Sequence, residues 1–240
     1  ASSAIVNKAE VERIAALAVE IARASALTRK EPVDIGPPVT SRGTYRTPLQ
    51  IDPFSMPVED KIALLLKADQ EMRRVPGVKV ARGMLACQRE RKTFANSEGA
   101  FVEQEIIETG GGIVALAVAD GEVQQRSYPT FFGEDRRTTG WEYVLQMDLP
   151  GHTGPTASEA VALLTADPCP DTVTTVILGA TQLALQIHES CGHPTELDRV
   201  LGSEAAFAGT SFLTPEKLGT LRYGSPVVNL TADATIPGGL

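Results

Sequence analysis

Residues 78–128 read as strand nearly throughout, and this run limits the folding options of the chain more than any other feature. Val78 and Val80 alternate with their neighbours, and β-branched and aromatic residues recur between turn signals. Strands are expected at 78–87, 89–95, 101–109, 113–120 and 123–128. Asn96-Ser97-Glu98-Gly99 marks one turn. Asp120-Gly121 marks another and is the pair that favours a tight hairpin. Sequential strands with turns this short make an antiparallel meander of four or five strands. Gly110-Gly111-Gly112 falls between two of them. No Lys-Ser/Thr pair or helix start follows, so the glycines read as a bulge or corner and not as a phosphate loop.

Helical pattern lies on both sides of the strands. Asn7 and Glu10 have capping-box spacing, and Val11, Ile14, Ala15, Ala18, Ile21 and Ala22 form one apolar stripe, so a helix is expected over about 7–27. Pro32, Pro37, Pro38, Pro48, Pro53 and Pro57 then forbid regular structure over most of 31–57. A second helix starts after Pro57 and buries Ile62, Leu65, Leu66 and Met72. Two helices covering one face of the meander give a two-layer α+β fold. Helical pattern returns at Trp141, Val144 and Leu145 and again over 158–166. Pro168-Cys169-Pro170 is a candidate boundary. Beyond it a strand is expected at 172–178, a helix at 180–191 and a last strand at 227–232. The expected division is 1–57 (helix and Pro-rich connection), 58–168 (meander domain) and 171–240 (the beginning of a metal-binding domain). Ala1-Ser2-Ser3 without an initiator Met, and Ile236-Pro237-Gly238-Gly239-Leu240 directly after a strand-like run, lead us to expect a fragment.

The charge balance excludes several partners. With 22 Lys+Arg against 30 Asp+Glu the net charge is −8, which leaves no basic footprint for nucleic acid or for an anionic membrane surface. No apolar run approaches the roughly 20 residues of a membrane-spanning helix. Three scattered cysteines, Cys87, Cys169 and Cys191, are no disulfide framework and favour a reducing compartment, so a cytoplasmic location is expected.

Two of the three histidines fall in one hexapeptide, His188-Glu189-Ser190-Cys191-Gly192-His193. Two neutral imidazoles with a carboxylate between them suit a catalytic zinc ion, and the carboxylate can take a proton from an activated water. The spacing is one residue longer than His-Glu-x-x-His. On an ideal α-helix, residues five apart point about 140° apart. A π turn would realign them. Alternatively the helix stops at Gly192 in the left-handed conformation and swings His193 back, which Pro194 favours. The second device is the expected one. Cys191 has a rival reading as a nucleophile beside His193, although its place on the apolar side of the helix favours a buried thiol. His152, between Gly151 and Thr153, reads as an exposed loop residue.

The stretch from Val176-Ile177-Leu178-Gly179 through His188-Glu189-Ser190-Cys191-Gly192-His193-Pro194-Thr195-Glu196-Leu197-Asp198 resembles the TldD/PmbA family of metalloproteases. The resemblance runs back through Gly140-Trp141-Glu142 and the strands to the opening helix. It implies His188 and His193 as zinc ligands and Glu189 as the general base. It also implies a third ligand, a cysteine beyond Leu240, so the chain alone is expected to hold zinc weakly. Because the motif is intact, the resemblance points to a TldD-type catalytic subunit that hydrolyses unfolded peptides and pairs with a family partner as a homo- or heterodimer. A non-catalytic partner or scaffold subunit is the alternative.

Overall fold

The computed structural model describes residues 1–28 and 36–239, which fall into two compact units. The smaller comprises Ala1–Ser41 with Ala95–Ala100. In it, helix α1 (Lys8–Ala26) opens as its sequence requires. Extended Asn7 accepts the Glu10 N–H through Oδ1 at 2.9 Å, satisfying one donor of the first turn. No residue of α1 is buried. At the turn, Asn96 Oδ1 accepts the N–H groups of Glu98 (3.1 Å) and Ala100 (2.8 Å). Its amide donates to Val39 O at 3.0 Å.

The larger unit comprises Arg42–Phe94 with Phe101–Leu240. Among the described residues five strands form one sheet: β1 (Arg42–Arg46), β2 (Val78–Ala95), β3 (Phe101–Ala119), β4 (Glu122–Tyr128) and β5 (Asp135–Arg137). The long β3 pairs with all the others. β1 lies parallel to its first part, with Arg42 opposite Phe101 and Arg46 opposite Glu105. β4 runs antiparallel to its last part, from Ile113 opposite Tyr128 to Ala119 opposite Glu122. β5 pairs with its middle, Thr109 opposite Arg137 and Gly111 opposite Asp135. Asp120 (φ 51°) and Gly121 (φ 85°) make the two-residue hairpin between β3 and β4.

One face of the sheet carries the core. Ile113, Ala115 and Ala117 alternate along β3 and are fully buried. Against them pack Ala68 and Met72 of α2 (Val58–Arg73), Tyr143 and Met147 of α3 (Glu142–Met147), and Leu149, Ala157 and Ala160 of α4 (Leu149–Ala162). Full burial of side chains such as Met72 and Ile113 stabilises by roughly 1.5–3 kcal/mol each.

The two-layer α+β fold is the expected one, with differences in its parts. The strands expected at 78–87 and 89–95 are one strand, as are those at 101–109 and 113–120. The glycine run therefore lies inside β3 and is no corner. Its role is close approach. A Cβ would fall onto Asp135 O at Gly110, Met84 O at Gly111 and Gly133 O at Gly112. The covering helices are α2 and α4. α1 belongs to the smaller unit and has no buried residue. The Pro-rich connection yields β1 in its proline-free window between Pro38 and Pro48; the part at 31–35 lies outside the described residues. No strand forms at 172–178 or 227–232, so the motif helix is not preceded by the expected strand. α4 starts at Leu149, ahead of the expected 158, despite Gly151, Gly154 and Pro155. Burial of Leu149, Thr153, Thr156, Ala157 and Ala160 overrides that composition. His152 is accordingly helical and half-buried, stacked on Tyr128 at 3.7 Å between ring centroids, with Nδ1 3.0 Å from Asp148 O.

One buried carboxylate went unread in the sequence. Glu142 is 9% exposed and accepts four hydrogen bonds, from Gln50 N (3.1 Å), Ile51 N (3.0 Å), Thr139 Oγ1 (2.8 Å) and Gly140 N (3.0 Å). Burial pushes its pKa up, but the donors together outweigh burial and hold it at about 2. Glu142 thus ties residues 50–51 to the start of α3.

Candidate metal centre

The His motif sits at the end of a short amphipathic helix, α5 (Ala180–Ile187), whose first turn closes with Leu183 N donating to Gly179 O at 2.9 Å. The helix does not stop at Gly192. It widens into a π turn, His188–Gly192, in which the His193 N–H donates to His188 O, five residues back. Gly192 (φ −59°, ψ −68°) and His193 (φ −57°, ψ −42°) both keep right-handed helical geometry. The left-handed stop expected from Gly-His-Pro is therefore corrected to the π turn. Pro194 is accommodated because it opens the next short helix, α6 (His193–Thr195), where a missing N–H costs little.

A widened turn frees carbonyl groups, and side chains occupy them. Tyr223 Oη donates to Ser190 O at 2.7 Å. That carbonyl lies four residues before Pro194, which has no N–H to give it. Thr195 Oγ1 lies 2.9 Å from both Cys191 O and Gly192 O and donates there. Ser211 Oγ donates to Pro194 O at 2.6 Å. Sequence reading missed Thr195, Ser211 and Tyr223. Only Thr195, at the i,i+3 and i,i+4 spacing of hydroxyl back-bonding, carried a usable signal.

The π turn brings the two imidazoles onto one side, with ring centroids 4.4 Å apart and planes at 75°. One ligand-capable atom from each of His188, Glu189 and His193 lies within 4.8 Å of the other two. His188 and Glu189 are exposed, and their nearest charged atoms are 4.0 Å apart. His193 is half-buried, and its Nδ1 lies 2.7 Å from Glu196 Oε1. Arg199 Nε approaches the other oxygen, Oε2, at 2.5 Å as an ion pair off hydrogen-bond alignment. The His193 contact outweighs the opposing effect of burial and, with Arg199 adding to it, holds the Glu196 carboxyl below its ordinary pKa. Asp198 accepts the next backbone N–H, Arg199 N, at 2.8 Å. Cys191 does not join the converging group.

This donor set could hold a divalent metal ion. Imidazole nitrogen suits zinc, a carboxylate is close by, and both exposed residues are open to solvent.

Residues 51–166 match the PmbA/TldA metallopeptidase central domain. The whole chain is similar to a metalloprotease of Methanocaldococcus jannaschii, 27% identical over 240 residues that cover 99% of this chain and 49% of that protein. A metalloprotease of Methanothermobacter thermautotrophicus is 31% identical over 146 residues, covering 60% of this chain and 29% of that protein. Over residues 51–166 the chain is a TldD/PmbA-type central domain. The matched residues hold β2 to β5 and α2 to α4, with β1 just ahead of them, and the His motif lies in the residues that follow. The chain spans about half or less of the length of the relatives it matches. Among its described residues no helix is long and apolar enough to cross a membrane.

Proposed function

We propose that this chain carries the metal-binding and proton-accepting groups of a TldD-type zinc peptidase acting on unfolded peptides. The observation that carries the reading is the π turn, which places His188 and His193 side by side with Glu189 next to them. His188 and His193 would hold the ion. Zinc bound there would supply Lewis acidity, making water a nucleophile at neutral pH and polarising a peptide carbonyl. Glu189, exposed and unengaged by a hydrogen bond of its own motif, is the group that accepts the proton of the attacking water and passes it to the leaving amine. Residues from 171 onward would begin the metal-binding domain, with a further ligand and a TldD/PmbA-family partner subunit completing the enzyme. A cytoplasmic location suits the three unpaired cysteines.

Glu189→Gln separates binding from chemistry. It keeps shape and removes basicity, so zinc content should stay at the parental level while turnover of an unfolded peptide falls roughly 10²–10⁴-fold. His193→Ala should lose both. Near-parental turnover in Glu189→Gln overturns the assignment. So does activity that survives chelation and is abolished by alkylating Cys191.

A further inference from the structure

We infer that Glu196 is the positioning residue of His193, fixing its proton on Nδ1 so that Nε2 presents a lone pair to the metal. The inference rests on the metal reading of the site and adds a residue to it. Neutral imidazole carries one proton, and which nitrogen holds it decides which nitrogen can ligate. An ionised carboxylate only accepts. Glu196 Oε1 stands 2.7 Å from His193 Nδ1, so that nitrogen is the donor and Nε2 is left bare. The carboxylate is itself held. Its second oxygen is in contact with Arg199, whose guanidinium is partly buried with a side-chain exposure of 25%. Arg199 is in turn built into the local fold, since Arg199 O accepts the Ser211 N–H at 3.1 Å and Ser211 Oγ donates to Pro194 O beside His193. The result is a short chain of contacts, Arg199 to Glu196 to His193, that orients one imidazole. His188 has no such partner within hydrogen-bond reach among the described residues, its nearest carboxylate oxygen being 4.0 Å away. The two ligands are therefore unequal before metal arrives. One is preset and the other is free to adjust.

The chain has three histidines, so selective ¹⁵N-histidine labelling resolves each ring. In the metal-free chain, above the imidazole titration range, His193 should show a protonated Nδ1 and a bare Nε2. Glu196→Ala should move it to the opposite tautomer or a mixture. Glu196→Gln, which keeps a neutral acceptor, should fall between. Zn²⁺ affinity of the same proteins, measured by competition with a chelating indicator, should drop about 10–100-fold in Glu196→Ala and less in Glu196→Gln. A His193 tautomer unmoved by either variant overturns the inference, and so does a moved tautomer with unchanged Zn²⁺ affinity. The Gln variant and the backbone amide spectrum guard against misfolding of the Ala variant. If His193→Ala leaves Zn²⁺ affinity unchanged, the metal reading of the site fails while the tautomer measurement still stands.

Discussion

The sheet-and-helix body and the segment that follows it are held by different forces. Within the larger unit, the buried residues lie between Thr47 and Ala160, where Met72, Ile113 and Leu149 are essentially inaccessible to water. From 161 to 239 no described residue is buried. Around the motif the structure is kept by polar contacts: an i,i+5 backbone bond, hydroxyls on freed carbonyls, and the His193–Glu196 pair three residues apart. Hydrophobic burial is roughly proportional to area and forgiving of direction, whereas hydrogen bonds are directional and individually modest. The lesson is a division of labour. The body gains its stability from packing, and the motif gains its geometry from pairing.

Glycines in the two regions give the sharpest test. Gly111→Ala places a methyl group on Met84 O and against Leu85, where neither backbone can withdraw without breaking the sheet. It should destabilise the protein by about 3 kcal/mol or more, at the upper end of overpacking costs, read as a lowered midpoint in urea. A shift within about 0.5 kcal/mol would show that the sheet is less closely drawn together than described.

The second test concerns the buried carboxylate. Glu142→Ala strands the N–H groups of Gln50, Ile51 and Gly140 and the Thr139 hydroxyl, and should cost on the order of 3 kcal/mol. The pH dependence has a definite sign. A folded pKa of about 2 against an ordinary value of 4.5 means the stabilisation is complete above about 4.5 and is lost as pH falls towards 2. The difference in unfolding free energy between the parent and Glu142→Gln should shrink over that window. A difference that is flat from pH 6 to 2 would contradict the bonding described.

The smallest effect belongs to the motif. Gly192 has helical dihedrals, and an added Cβ would meet only Ile187 O at 3.9 Å. Gly192→Ala should therefore be tolerated, stabilising the local turn by about 0.5 kcal/mol and slowing exchange of the His193 amide. Had Gly192 ended the helix in the left-handed conformation, the same change would destabilise it. Faster exchange would restore that reading.

How far the sequence could be read follows the same division. Local rules were enough for the Asn7 cap, the Asp120-Gly121 hairpin and the start of α2 after Pro57, because each depends on a few adjacent residues. They failed where distant residues decide. The glycine run is explained by the backbones of Met84, Gly133 and Asp135, and α4 by burial that outweighs two glycines and a proline. At the site, composition was legible in His188, Glu189 and His193. Geometry was not, because both the π turn and the Gly192 stop satisfy the same spacing. The choice depends on Tyr223 and Thr195, and Tyr223 lies 33 residues away from the carbonyl it caps.

The parallel pairing of β1 with β3 has a consequence in time. β1 is made first, yet its partner is separated from it by all of residues 47–100. At roughly 5–20 residues per second of synthesis, β1 waits on the order of five seconds before Phe101–Glu105 exist to pair with it. The β3–β4 hairpin, by contrast, can close within microseconds of β4 being made. The oldest strand of the sheet thus waits longest for its partner. Until then its backbone N–H and C=O groups must stay solvated, which its run of Arg42, Gly43, Thr44, Tyr45 and Arg46, all exposed, is well suited to do.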